Sequence, residues 1–307
     1  MSKEQRAQVD AMLRQPRPEG PRSIEAIRAG FEALMAQMIV PEDIRAIRTT
    51  LGDRPALRVE PDSGPRTGTI LYLHGGGWVY GSPESVLSLT GHLVVKTGFE
   101  AYSVDYRLAP EHPFPAAIDD ALSAYRALLD SGRNPSTIAF AGDSAGGGLT
   151  VTTCLAARDA GLPLPAALVM FSPGLDATRT GESMDTKEGI DPILTRTSVE
   201  HTGAMYLAGQ DPHQPLLSPA VLADLTGFPP MLLQVGTNEI LLDDSTRLAA
   251  RARAVGVDVI LDITADVPHV FQSFVGVLDE ADRALDRAAL FLSQHVHTPD
   301  TAAAPAG

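Results

Sequence analysis

The sequence predicts an α/β protein: a mostly parallel, eight-stranded sheet flanked by helices on both faces, with a helical cap added. Three observations carry that expectation. Short β-branched and apolar runs alternate with amphipathic helical stretches along most of the chain. A strand-like run, 138–141, leads into Gly142-Asp143-Ser144-Ala145-Gly146 just where a helix begins. The stretch from about 177 to 217 interrupts the alternation and carries a helix-like piece of its own, 198–207.

Taken in order, residues 1–40 are helix-like, with Ile24, Ile27, Phe31, Leu34, Met35 and Met38 at helical spacing. Pro16, Pro18 and Pro21 break this region before that stretch begins. Residues 44–60 predict two strands joined through Gly52-Asp53. Strands follow at 69–73, 100–106, 137–141, 166–171, 230–235 and 257–263. Helices are expected at 87–97, 115–129, 144–160, 241–255 and 272–295, with Gly161 and Gly256 closing two of them. The tail, 298–307, is rich in Ala and Pro and predicts disorder.

A chain of 307 residues that is 44% hydrophobic can bury one large core, so a single domain over 1–307 is expected. The insertion 177–217 reads as a cap, and the resemblance described below adds residues 1–40 to it. A formal net charge of −14 argues against nucleic acid and anionic membranes as partners. The one cysteine, Cys154, sits in the apolar run 149–156 and predicts a buried, inert thiol. The first ten residues are polar and charged, without an apolar core of signal-peptide length, and no window approaches a membrane span. The expected location is cytoplasmic.

The G-x-S-x-G turn is a nucleophile elbow, which holds Ser144 at a sharp corner and pushes its hydroxyl out of the sheet. A free serine is a poor nucleophile, so a base and an oxyanion site must exist elsewhere. His74-Gly75-Gly76-Gly77 follows a strand about seventy residues before the elbow. Consecutive glycines let backbone amides turn towards one point, so Gly75, Gly76 and Gly77 are the candidate oxyanion donors, joined by the Ala145 amide. Among eight histidines, His269 lies directly after the last strand, following Pro268, while His295 and His297 lie at the chain end. Loops at the carboxyl ends of strands are where α/β active sites form. That makes His269 the candidate base, in the chain order Ser, acid, His. The acid is chosen among Glu239, Asp243 and Asp244. Asp243 and Asp244 fall in the first turn of the next helix, where they suit its dipole. Glu239 lies in the loop itself and is preferred, with Asp243 as its competitor.

These residues resemble the hormone-sensitive-lipase-like group of α/β-hydrolases, the bacterial family IV esterases. His74-Gly75-Gly76-Gly77-Trp78 is similar to the group's HGGG signature, and Gly142-Asp143-Ser144-Ala145-Gly146-Gly147 to its GDSAGG elbow. Tyr106-Arg107-Leu108-Ala109-Pro110-Glu111 resembles a further stretch, YRLAPE, taken as structural. Ser172-Pro173-Gly174-Leu175-Asp176 resembles SPWxD without its tryptophan, and Glu239-Ile240-Leu241-Leu242-Asp243-Asp244 resembles DPLxDE with glutamate for aspartate and no proline.

The resemblance implies an α/β-hydrolase fold and a serine carboxylic-ester hydrolase without metal or organic cofactor. It also implies a cap built from the N-terminal helices and the insertion after the sixth strand, and a homodimer through the final edge strand. Within the group the sequence is most similar to small esterases and to lactone hydrolases acting on short acyl chains or monoterpene lactones. Trp78, Val79 and Tyr80 beside the glycine loop, with Met35, Met38, Met205, Tyr206 and Leu207 of the cap, are the candidate pocket lining for an apolar acyl or terpenoid group. Two other readings stand beside this one. An amidase or lactonase would use the same triad. A non-catalytic small-molecule receptor on the same fold would have lost the catalytic histidine.

Overall fold

A computed structural model describes residues 2–15 and 23–297. Its centre is one eight-stranded sheet: β1 (Ile44–Leu51), β2 (Arg54–Pro61), β3 (Thr69–Leu73), β4 (Glu100–Val104), β5 (Ile138–Asp143), β6 (Ala167–Phe171), β7 (Met231–Gly236) and β8 (Val259–Thr264). The spatial order is β1-β2-β4-β3-β5-β6-β7-β8. β2 runs antiparallel to both β1 and β4, and every pairing from β4 onward to β8 is parallel.

The helices are α1 (Ser2–Leu13), α2 (Ile24–Met35), α3 (Leu87–Thr97), α4 (Ala116–Asp130), α5 (Ala145–Asp159), α6 (Ser183–Thr186), α7 (Arg196–Leu207), α8 (Pro219–Leu222), α9 (Leu242–Ala254) and α10 (Asp279–His295). They cover the sheet on both sides, which is why β3, β5, β6 and β7 are buried at every position. Side chains along a strand alternate between faces. Leu71 and Leu73 of β3 accordingly pack with Tyr125 of α4, Leu155 of α5 and Leu248 of α9. Ile70 and Tyr72 pack with Leu93 of α3, Leu285 of α10 and Leu13 of α1.

Two expectations need correcting. β4 ends at Val104 rather than at residue 106: Tyr106 leaves the ladder and its hydroxyl donates to the His74 carbonyl at 2.6 Å. The stretch 272–295 is not one helix. A 3₁₀ turn, Phe271–Phe274, comes first, and α10 restarts at Asp279. Gly276 interrupts the helix at φ +80°, while Asp279, Glu280 and Asp282 place negative charge in the new first turn, where the dipole favours it.

The segment 177–217 holds α6 and α7. α7 starts at Arg196, two residues earlier than the spacing suggests, because Thr195 and Ser198 form a reciprocal capping box. Among the described residues no helix is long and apolar enough to cross a membrane. The expectations about Pro16, Pro18, Pro21 and the tail 298–307 lie outside the described residues.

Candidate active site

β5 delivers the chain to Asp143 and α5 begins at Ala145, leaving Ser144 alone at the corner with φ 52° and ψ −120°. A side-chain-bearing residue holds such a conformation only when its surroundings over-determine it. Here the Ser144 amide donates to the Phe171 carbonyl at 2.8 Å, and the Ser144 carbonyl accepts from Gly148 at 3.1 Å and Gly174 at 3.0 Å. A Cβ on Gly146 would lie 1.9 Å from the Leu73 carbonyl oxygen, so the turn closes only with glycine there.

His269, in the loop after β8, meets this corner. Its Nε2 is 2.9 Å from Ser144 Oγ, and its Nδ1 is 2.9 Å from Glu239 Oε2. A carboxylate can only accept, so Nδ1 carries the proton and Nε2 is left as the acceptor for the serine hydroxyl. Glu239 is fully buried. Its Oε1 accepts from the Ser172 hydroxyl at 2.8 Å and from the Gly236 amide. Ser172 Oγ in turn accepts the Val270 amide at 2.9 Å, which ties the base loop to the acid. Burial works against an imidazolium at His269, but the hydrogen bond and charge of Glu239 outweigh it and hold the pKa above the usual histidine value.

Asp243 is engaged elsewhere. Its carboxylate accepts the Ser183 amide at 2.8 Å, and it makes no bond to His269. Asp244 turns inward and accepts the Leu175 and Asp176 amides at 2.6 and 3.0 Å; burial pushes its carboxyl up to about 7.

The glycine loop lies beside the elbow, because β3 and β5 are paired neighbours in the sheet. Gly76 and Gly77 have φ +118° and +58°. A Cβ at Gly76 would meet the Tyr80 carbonyl at 2.0 Å, so no other residue fits. Gly75 must be taken out of the set of oxyanion donors. Its N–H is donated to Asp143 Oδ1 at 3.0 Å, and the same oxygen accepts the Tyr72 hydroxyl at 3.0 Å. The candidate donors that remain are the amides of Gly76, Gly77 and Ala145, the last in the first turn of α5, where an amide has no partner within the helix. Burial raises Asp143 to about 6. His74 is buried and stacked on Tyr106 with ring centroids 4.1 Å apart, and burial lowers its pKa to about 4, which keeps it neutral.

The candidate pocket residues separate. Trp78, Tyr206 and Leu207 line a small cavity with Gly148, Gly174 and Leu216. Ser144 and His269 are not among its walls; the connection runs through Gly148 and Gly174, whose amides both hold the Ser144 carbonyl. Trp78 and Tyr206 stack at 4.5 Å. The other candidates do not line this cavity. Val79 is buried in the core, since it continues the packing under the glycine loop. Tyr80 meets Phe31 of α2 at 4.8 Å. Met205 of α7 packs against the core on one face of the sheet, and Met38, in the turn after α2, against the core on the other.

Sequence reasoning missed Ser172 and Asp143 as members of this arrangement. Ser172 carried one signal, its place in the SPGLD stretch, but its two bonds join positions 67 and 98 residues away.

Residues 70–273 match the family described as alpha/beta hydrolase fold. The chain is 44% identical over 224 residues to an acetyl-hydrolase of Streptomyces hygroscopicus, covering 73% of this chain and 75% of the relative. It is 33% identical over 264 residues to the carboxylic ester hydrolase LipN of Mycobacterium tuberculosis, covering 81% and 70%. Among solved structures, an esterase from the bacterial hormone-sensitive lipase family superposes with a TM-score of 0.92 at 40% identity, covering 96% of this chain and 99% of that one.

Proposed function

Since this chain belongs to the hormone-sensitive-lipase-like family of α/β-hydrolases and is a carboxylesterase, we propose that it cleaves small esters of short acids through a serine acyl-enzyme. The observation that carries this reading is the doubly bonded imidazole of His269, 2.9 Å from Ser144 Oγ and 2.9 Å from Glu239. As Ser144 Oγ attacks the acyl carbon, its proton passes to His269 Nε2 and the carbonyl electrons move onto oxygen. Glu239 keeps the ring in the correct tautomer and offsets the imidazolium charge. The amides of Gly76, Gly77 and Ala145 bind the oxyanion, each contributing about 3 kcal/mol to the barrier reduction. His269 then returns the proton to the leaving alcohol, and water repeats the sequence on the acyl-enzyme. The intact imidazole is the residue that a non-catalytic receptor would lack.

The cavity between Trp78 and Gly174 supports the short-acyl preference, since its walls are close and mostly apolar, with Thr152 and Arg179 the polar exceptions. A relative named acetyl-hydrolase points the same way. Lactones fall within this reading, being esters closed into a ring. The cap is α1, α2 and the segment 177–217. Arg14, just after α1, donates to the Gly189 and Ile190 carbonyls, which joins the two parts. Arg28 of α2 donates to the Val79 and Ala109 carbonyls and forks onto Glu111 beside the site. A homodimer through β8 is part of the same reading, supported by the exposed Ile260 and Ile263 on that edge strand.

Labelling with a fluorophosphonate probe tests the nucleophile. The wild type should be modified at Ser144, and Ser144→Ala should fold, escape labelling and lose p-nitrophenyl butyrate hydrolysis. Full turnover in that variant would reject Ser144. A panel of acetate, butyrate and octanoate esters with a γ-lactone then tests the substrate class, with the two shorter esters expected to be fastest.

A further inference from the structure

A buried carboxylate outside the triad reaches the loop that carries Glu239. Asp191 lies in the inserted segment, between α6 and α7, and is 4% exposed. Its Oδ1 accepts the Ile193 and Leu194 amides at 2.8 and 2.9 Å, which orders its own turn. Its Oδ2 does something different: it accepts the Ile240 amide at 3.0 Å, 49 positions along the chain. Ile240 is the residue after Glu239. The opposite side of the same residue is held as well, because Ser183 Oγ donates to the Ile240 carbonyl at 2.7 Å and accepts the Asp243 amide at 3.0 Å. Both backbone polar groups of Ile240 are thus held by the insertion. Its side chain is fully buried in a small apolar cluster with Leu241, Met184 and Val199, the last two from the same insertion.

We propose that Asp191 is a positioning residue for the ester-hydrolase reaction, docking the inserted segment onto the acid loop and adding negative charge in support of the imidazolium that forms at His269. The proposal rests on Ser144, His269 and Glu239 acting as the triad.

Two physical arguments carry it. The first is leverage. The direction of the Glu239 carboxylate follows from the backbone at 239–240, and a rotated Ile240 amide would swing it away from Nδ1. An error of about 1 Å in such a group is enough to slow a reaction a hundredfold. The second is charge. His269 bonds Glu239 and the Ser144 hydroxyl, and the negative charges of Asp191 and Asp143 join that of Glu239 in favouring its protonated form. Around Asp191 itself, Lys187 contributes only a carbonyl to the Asp191 amide, at 3.0 Å, and the Arg14 guanidinium rests on the carbonyls of Gly189 and Ile190. In a buried site even a second-rank charge acts at low screening.

The experiment compares kcat, KM and the pH profile of kcat/KM on p-nitrophenyl butyrate, normalised to the fraction of sites labelled by fluorophosphonate. Asp191→Asn keeps the shape but opposes an amide to the Ile240 N–H. It should lower kcat per labelled site about tenfold with little change in KM. The limb on which kcat/KM rises should move to lower pH by roughly half a unit, because a negative charge that favours the imidazolium has gone. Ser183→Ala removes only the neutral half of the clamp, and should lower kcat with that limb unmoved. Should Asp191→Asn fail to fold, Asp191→Glu keeps the charge on a longer arm; it should lower kcat and leave the limb in place, and wild-type kcat there would overturn the positioning role. An Asp191→Asn enzyme with unchanged kcat per site and an unchanged limb overturns the proposal, even if it melts earlier. Failure of the underlying reading looks different: the wild type itself would not be labelled at Ser144.

Discussion

Asp143 Oδ1 holds the Gly75 amide at 3.0 Å, so the residue before the proposed nucleophile fixes the first glycine of the facing loop. Elbow and oxyanion loop are therefore one hydrogen-bonded unit, with the Tyr72 hydroxyl as its third member. The Gly75 amide is consumed in alignment, and the proposed mechanism assigns the next two amides to the substrate oxygen. Asp143→Ala should leave the Gly75 and Tyr72 donors unpaired and let the loop drift, lowering kcat on p-nitrophenyl butyrate by about tenfold to a hundredfold with a smaller change in KM. Wild-type kcat in that variant would show that the loop holds its own shape.

The acid can be tested by a pair of isosteric changes. Glu239→Gln retains the size of the group bonded to His269 Nδ1 but removes its charge and permits the wrong tautomer. The expected loss of kcat is about a thousandfold or more. Asp243→Asn can still accept the Ser183 amide, so its kcat should stay within about threefold of wild type. The reverse ranking would transfer the acid role to Asp243.

Gly174 offers a test of the acyl cavity. A Cβ there would stand 3.6 Å from Trp78 and 3.9 Å from Leu241, which is ordinary contact. Gly174→Leu should therefore fold and fill the cavity. Turnover of p-nitrophenyl butyrate relative to the acetate is expected to fall by about tenfold, the order for a lost apolar contact of one or two methylenes. An unchanged ratio would place the acyl group elsewhere.

Asp244 makes a prediction about stability and pH. Its folded pKa is about 7, above the ordinary carboxyl value of 3.8. The folded chain thus binds more protons than the unfolded one between those values, and this group's contribution to stability falls as pH rises through that window. Asp244→Asn can still accept the Leu175 and Asp176 amides but carries no charge to desolvate. Its melting temperature relative to wild type should rise steadily from pH 4 to pH 8, reflecting a difference on the order of a few kcal/mol. A difference that is flat with pH would mean that the buried carboxylate is better compensated than its burial implies.

Much of the framework was legible locally because its causes are local. Short apolar runs set between amphipathic helical stretches mark the strands, and the close approach of Gly146 to the Leu73 carbonyl demands the glycine that the elbow displays. The single long helix drawn over 272–295 failed because apolar spacing continues through Gly276, while the backbone does not. Glu239 was separable from Asp243 by its place in the loop, but the bond that distinguishes them crosses 30 residues.

By itself the sequence determined the periodicities, the glycines where backbones touch, and the order in which Ser144, Glu239 and His269 occur, since each of these depends on a residue and its near neighbours in the chain. The tertiary structure alone decided that the Gly75 amide is held by Asp143, that Ser172 couples Glu239 to the His269 loop, and that Asp191 and Ser183 grip Ile240. Those contacts join segments dozens of residues apart, and a hydrogen bond a few ångströms long leaves no trace in spacing until the sheet has brought its ends together.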